Sequence, residues 1–206
     1  HIHRRCTKEG WVNLKSAVLS AKTVTLYDAA RYVIKPATYA RQCAFVELVA
    51  EGAQPPKWVC SHWWGEPVRD FIASVEAHVK ARGHHESSAY WVCAYANNQH
   101  ELGGDINADP RKTSFYKALK QAIGVLLILD PNGTPFTRAW CCFEEAMVVR
   151  DETRTGAPLL LDIATVDSES RAHVTTQGPT AADQKMYEEL EDWQKSETSL
   201  GLSLIH

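Results

Sequence analysis

The chain lacks the compact signatures from which an enzyme class is most easily read. Its 206 residues hold no Gly-rich phosphate loop and no G-x-G-x-x-G, G-x-S-x-G or H-E-x-x-H pattern. A long apolar run is missing too: Gly124–Leu129 is among the longest and is far too short to cross a bilayer, so no membrane partner is expected. Neither sign of charge dominates. Lys and Arg number 22 against 25 Asp and Glu, a formal charge of −3, which provides no basic field for nucleic acid. The first residues carry no apolar signal core, and the chain, which does not begin with Met, reads as a trimmed fragment. The cysteines (Cys6, Cys43, Cys60, Cys93, Cys141 and Cys142) lack C-x-x-C spacing. Adjacent Cys141 and Cys142 bridge each other only with strain, so reduced thiols and a cytoplasmic setting are the simplest expectation.

What remains is a chain with 45% hydrophobic and 23% charged residues, an ordinary globular composition. Residues 1–56 read as an N-terminal helical and β extension. Trp11, Leu14 and Val18 recur at helical spacing, Thr23–Tyr27 is rich in β-formers, and Ala44–Ala50 is apolar before Gln54-Pro55-Pro56 breaks regular structure. Strands and helices then alternate. Trp58–Cys60 is a strand candidate, and Pro67 opens a helix with Val68, Phe71, Ile72, Val75 and Val79 inward, closed by Gly83. Ala89–Tyr95 is a second, nearly all-apolar strand, followed by a polar loop from Asn97 to about Arg111. A helix with Phe115, Leu119 and Ala122 inward leads to Gly124–Leu129, the strongest strand, and to the turn Asp130–Gly133. Thr137–Arg150 reads as a helix striped by Trp140, Phe143 and Met147, and Pro158–Ala164 as a fourth strand. A last helix, about Ala181–Lys195 with Met186, Leu190 and Trp193 inward, precedes a frayed tail at 196–206. This alternation predicts an α/β fold, a flavodoxin-like three-layer sandwich with a mostly parallel central sheet over 57–195.

In such sheets ligands bind beyond the carboxyl ends of the strands, which selects Ser61–Glu66, Ala96–His100 and Asp130–Glu145. Ser61, His62, Trp63, Trp64 and Gly65 suit a ligand wall, since aromatic faces stack on nucleobases and Gly admits a close approach. The same tryptophans could pack beneath the following helix instead. Asn97 could line the crevice, or open a solvated loop. Trp140 and Glu144 are one helical turn apart, where a carboxylate beside an aromatic would be desolvated and raised in pKa. A Glu in the first turns of a helix is equally explained by the macrodipole. Cys60, Cys93, Cys141, Cys142, His62 and His100 lack the paired spacing of a structural zinc site, so no metal is expected.

Residues Lys57–Ala164 resemble a Toll/interleukin receptor (TIR) domain. The strand entering Ser61-His62 is similar to that family's first box, Asn97–Arg111 stands where its BB loop belongs, and Arg138-Ala139-Trp140-Cys141-Cys142-Phe143-Glu144 is similar to its W-C-x-x-E helix. The Trp63-Trp64 pair departs from the usual box. The resemblance implies cleavage of NAD, as substrate and without a cofactor, with Glu144 stabilising the ribosyl transition state. Glu145, on another helix face, is not expected to act. Trp63 or Trp64 would stack on a base, Trp140 would line the pocket, and His62 and Asn97 would meet ribose or phosphate. Self-association is also implied, and the alternative is a non-catalytic nucleotide-binding or self-association module. A response-regulator domain is disfavoured by the missing acidic pair after the first strand.

Overall fold

A computed structural model describes residues 2–84, 88–101, 112–139, 141–142, 146, 159–176 and 192, with the side chain of His3 left aside. Five strands form one sheet in the order β2-β1-β3-β4-β5. They are β1 (Trp58–His62), β2 (Tyr90–Trp91), β3 (Gly124–Leu129), β4 (Leu160–Val166) and β5 (Ala172–Thr175). The first four are mutually parallel. The expected mostly parallel α/β sheet is therefore present, with all four apolar runs contributing to it. β5 is an addition that the sequence reading did not contain. It folds back antiparallel on β4, Val166 opposite Ala172, through a turn held by the Asp167 carboxylate, which accepts from the Glu169 and Arg171 amides.

The pleat sorts β1 onto two faces. Trp58 and Cys60 join one cluster with Val68, Phe71, Leu126, Ile128, Leu160 and Ala164, while Val59 joins another with Val125, Phe115 and Leu119. Helices cover both faces, which is why β3 and the Trp58–Cys60 part of β1 are continuous apolar runs rather than alternating ones. On the first face lies Val68–Arg82, and on the second Ser114–Gln121, whose Phe115 and Leu119 are buried as expected. Gly83, at φ 64°, closes the longer helix, with its amide and that of His84 turned back onto the Lys80 and Val79 carbonyls. Gly124 allows a close crossing: a Cβ there would stand 2.6 Å from Trp58 Cζ3 and 2.8 Å from the Leu160 carbonyl.

In chain order the helices are α1 (Ile2–Lys8), α2 (Leu26–Ala29), α3 (Lys35–Thr38), α4 (Val46–Val49), α5 (Val68–Arg82), α6 (Cys93–Ala96) and α7 (Ser114–Gln121). Between α2 and α3, Ala30–Ile34 is a π-helical widening. Pro36 follows it and has no N–H to return to the preceding turn, a defect that such a widening accommodates.

Several local expectations are corrected. Trp11, Leu14 and Val18 do not form a helix: Val12 and Val18 bridge antiparallel around a turn in which Asn13 Oδ1 accepts from the Lys15 and Ala17 amides. Local side-chain hydrogen bonding has displaced the helical spacing. Thr23–Tyr27 is not a strand. Thr25 caps α2 through a reciprocal hydrogen-bonded box with Asp28, leaving one isolated bridge to Pro67. Ala89–Tyr95 is strand only at Tyr90–Trp91 and turns into α6, where the Gln99 amide donates to the Cys93 and Asn97 carbonyls. Cys93 thus sits half-buried in a helix rather than in a buried strand. The first strand runs on to His62, and the fourth starts at Leu160 and ends at Val166. On α5, Ile72 faces outward, while Ser74 and His78 take inward positions.

Residues 139, 141, 142 and 146 are helical, preceded by a 3-10 turn at Thr134–Thr137. Trp140, Phe143, Glu144, Glu145 and Met147 lie outside the described residues, as do 102–111 of the polar loop and, Asp192 apart, the last helix and tail. The N-terminal segment contributes Cys6, Trp11, Leu26, Ala29 and Ile34 to the same buried cluster as Trp58, Cys60 and Leu126.

Candidate functional site

The strand order reverses direction at β1, which has β2 on one side and β3 on the other. In a parallel sheet such a switch point leaves a crevice between diverging connections beyond the carboxyl ends. β1 and β3 run in register to His62 opposite Ile128, so their exit segments, 63–66 and 130–134, leave side by side.

On the β1 side, His62 and Glu66 form a buried pair, Nδ1 to Oε1 3.1 Å, with side chains only 1% and 3% exposed. The tight turn 63–66, closed by the Glu66 amide on the Trp63 carbonyl, brings the carboxyl back beneath the strand end. The His62 ring leans on Phe71, centroids 4.6 Å apart, and its Nε2 has no hydrogen-bond partner among the described residues. Burial raises the Glu66 carboxyl above its ordinary value, outweighing the hydrogen bond from His62, and the charges of Asp130 and Asp70 push it the same way.

Trp63 and Trp64 are both half-buried. The Trp63 ring lies over Gly65, where an added Cβ would come within 2.2 Å of its Cζ2, so the glycine makes room for this neighbour. Trp64 donates from Nε1 to Cys93 Sγ at 3.0 Å and tilts against Tyr27, centroids 5.6 Å apart. Ser61 is buried within β1. Asn97 ends α6 with its amide on the Cys93 carbonyl. Asn98 Nδ2 donates to the Gln42 carbonyl, and His100 Nε2 meets Thr38 Oγ1 at 2.9 Å, tying this loop to the N-terminal segment.

On the β3 side, both Asp130 carboxylate oxygens are occupied by Thr134, Oδ1 by its amide at 2.6 Å and Oδ2 by its hydroxyl at 2.7 Å, which fixes the 3-10 turn. The helical residues that follow return over β1. Buried Cys141 points its thiol at the His62 carbonyl, 3.9 Å away, and Arg138 Nη1 donates to the Tyr27 hydroxyl at 3.3 Å. The structure thus brings Ser61–Glu66 together with Asp130 and the chain at 138–142. Asn97 stands at the end of α6, and Trp140 and Glu144 lie outside the described residues.

No family model, curated protein or solved structure matches this chain. The reading of the site therefore rests on its own chemistry.

A second polar constellation escaped the sequence reading. Beneath α5, His78 Nε2 meets Asp162 Oδ2 at 2.7 Å, its Nδ1 meets the Tyr90 hydroxyl at 2.7 Å, and Arg82 grips Asp162 with Nε and Nη2 at 2.6 and 2.5 Å. Trp58 backs the group, with the Arg82 guanidinium 5.2 Å over its ring and the His78 ring 4.4 Å from its own. Alone, burial would raise the Asp162 pKa, but the hydrogen bonds from His78 and Arg82, with the Arg82 charge, hold it below the usual carboxylate range. The signal was present: Asp162 is a lone acid inside an apolar run, and His78 and Arg82 are spaced one turn apart on α5. Asp162 pairs with Leu126 in the middle of the β3–β4 ladder, so this cluster joins α5, β2 and β4 inside the fold, away from the crevice.

The described thiols have no disulfide. Burial pushes the Cys60 thiol well up, which makes it a small hydrophobic residue at neutral pH. Among the described residues no group of three or more metal-ligating side chains occurs, and no helix is long and apolar enough to cross a membrane.

Proposed function

We propose that this chain is a TIR-like, flavodoxin-like domain that cleaves NAD at the β1/β3 switch point, with Glu144 as the group that stabilises the reaction's positive charge. The observation carrying the reading is the return of the chain after β3 onto the end of β1, marked by the 3.9 Å approach of Cys141 to the His62 carbonyl. On helical spacing, positions three and four residues after Cys141 fall about 60° and about 40° to either side of it, so Glu144 is chosen over Glu145 on its place in the W-C-x-x-E pattern.

In the proposed reaction the bond between ribose C1′ and the nicotinamide nitrogen breaks, and its electron pair leaves with the nicotinamide ring. The ribosyl carbon passes through an oxocarbenium-like state. A carboxylate held nearby in a water-poor site stabilises that charge more than it stabilises the ground state. Water then adds its oxygen to C1′ and gives up a proton, producing ADP-ribose; an adenine nitrogen of the same molecule would give a cyclic product instead. NAD is the substrate and no further cofactor takes part. His62, buried against Glu66, shapes the β1 edge, where burial raises the Glu66 carboxyl above its ordinary value.

A second reading, a non-catalytic module acting by nucleotide binding or self-association in the cytoplasm, draws support from the tryptophans. Trp63 covers Gly65, and Trp64 is engaged by Tyr27 and Cys93, so both rings already serve the fold. Incubation of the purified chain with NAD, with free nicotinamide measured by chromatography, separates the two. Release above the uncatalysed rate supports cleavage; its absence at every protein concentration, alongside concentration-dependent assembly, supports the module.

A further inference from the structure

The N-terminal segment does more than pad the core: it reaches the candidate crevice. Residues 24–27 run antiparallel to the turn that carries the tryptophans. The Val68 amide donates to the Val24 carbonyl at 2.8 Å, Thr25 bridges Pro67, and the Leu26 amide donates to the Trp64 carbonyl at 3.1 Å. The capping box at Thr25 and Asp28 then starts α2, with Leu26 and Ala29 anchored in the core. This geometry forces Tyr27 outward at the rim. The residue is 45% exposed although its ring rests against Trp64, and its hydroxyl accepts from Arg138.

Arg138 is itself held at both backbone groups. Its amide donates to the Pro135 carbonyl at 3.1 Å, and its carbonyl accepts from the Cys142 amide at 3.0 Å. The guanidinium therefore projects from the junction between the 3-10 turn and the helical residues 139, 141 and 142. Among the described residues it has no carboxylate partner within ion-pair distance, and its one hydrogen bond goes to a neutral phenol. A guanidinium kept in place by a neutral group, beside two aromatic faces, retains both its charge and donors for a planar or tetrahedral anion. Asp130, an acid that follows β3, has both oxygens occupied by Thr134.

We infer that Tyr27 and Arg138 form one wall of the nucleotide site, Arg138 holding the pyrophosphate while Tyr27 and Trp64 offer aromatic faces to the adjoining ring. The inference rests on the NAD reading above and adds to it that the N-terminal segment is part of the binding surface. Arg138 acts as a positioning residue, and Tyr27 orients it.

The test is calorimetric titration of the full chain with ADP-ribose, which carries the pyrophosphate but no nicotinamide bond to cleave, and with adenosine, which carries neither. Loss of a charged hydrogen bond is expected to weaken ADP-ribose binding to Arg138→Gln by about tenfold or more, with adenosine changed little. Tyr27→Phe keeps the ring and removes the hydroxyl, so it should weaken ADP-ribose by a smaller factor. Equal ADP-ribose affinity for parent and both variants overturns the inference while leaving the NAD reading standing. Equal loss of adenosine and ADP-ribose overturns it as well, because the effect would then not be on the phosphates. A parent that binds neither NAD nor ADP-ribose removes the NAD reading and this inference together.

Discussion

Replacing Asp162 by asparagine keeps the side chain's size and removes its charge, which breaks the buried ion pair with Arg82. Asp162 and His78 are fully buried, and the Arg82 side chain is 4% exposed, so water cannot take over the lost interactions. Removing one partner of such a buried pair costs about 3–5 kcal/mol, a large part of the roughly 5–15 kcal/mol by which a domain is stable. With a urea slope of about 2–3 kcal/mol per molar, the unfolding midpoint should fall by roughly 1–2 M, at an unchanged slope. Replacing Arg82 by glutamine in the same chain removes the opposing charge as well and should recover part of the loss. The pH dependence has a definite sign. Because Asp162 is held below its ordinary value of 3.8, its contribution is complete above that value and is lost as pH falls through the lower folded value. The parent's advantage over the variant should therefore shrink only in strong acid. A midpoint within about 0.3 M of the parent's at pH 7 would refute the account of this cluster.

Glu66→Gln should stabilise the protein at neutral pH, because burial raises the parent carboxyl, so its folding is favoured below the ordinary value of 4.5 and penalised as pH rises through the folded one. Thermal melting from pH 4 to 8 checks this, and a variant less stable than the parent at pH 8 would contradict it. His84 works in the opposite direction. Burial, with the neighbouring charges of His78 and Lys57, lowers its pKa to about 4, so protein stability should fall between its ordinary 6.5 and that value, a slope that His84→Asn should remove. Gly124→Ala should cost about 1–3 kcal/mol in urea unfolding, because the new methyl meets the Trp58 ring and the Leu160 carbonyl inside a central strand; a loss below about 0.5 kcal/mol would mean that the crossing is looser than described.

The sheet was legible because its information is local. Gly124–Leu129 and Trp58–Cys60 are apolar without alternation, and only strands covered on both faces have reason to be so. α5 was legible for a similar reason, with Gly83 marking its end. What failed were the short elements, where one side chain decides the backbone. Asn13 turned an apparent helical stripe into a hairpin-like turn, Thr25 and Asp28 turned a run of β-formers into a helix start, and Gln99 stabilised α6 where a strand had been expected to continue. β5 has exposed residues at alternate positions and gave no continuous apolar signal. Of the candidate site, the strand-end rule found Ser61–Glu66 and Asp130. It did not find the partnership of His62 with Glu66, or the entry of Tyr27 from 37 residues before Trp64, since a contact between distant segments leaves no trace in local spacing. Asp162 is the instructive miss: a single acid in an apolar strand announces a buried partner, and the partners were one turn apart on α5.

The central claim is that a carboxylate after Cys141 carries the cleavage of NAD, and its most direct test compares Glu144→Gln with Glu145→Gln. Glutamine keeps the size and most of the packing of each side chain, so matched melting curves certify the fold. Nicotinamide release per mole of protein is then measured for the parent and both variants at saturating NAD. The account predicts release by the parent, a loss of about a hundredfold or more in Glu144→Gln, and near-parent release in Glu145→Gln. A parent without activity, or a folded Glu144→Gln that releases nicotinamide at the parent rate, contradicts it.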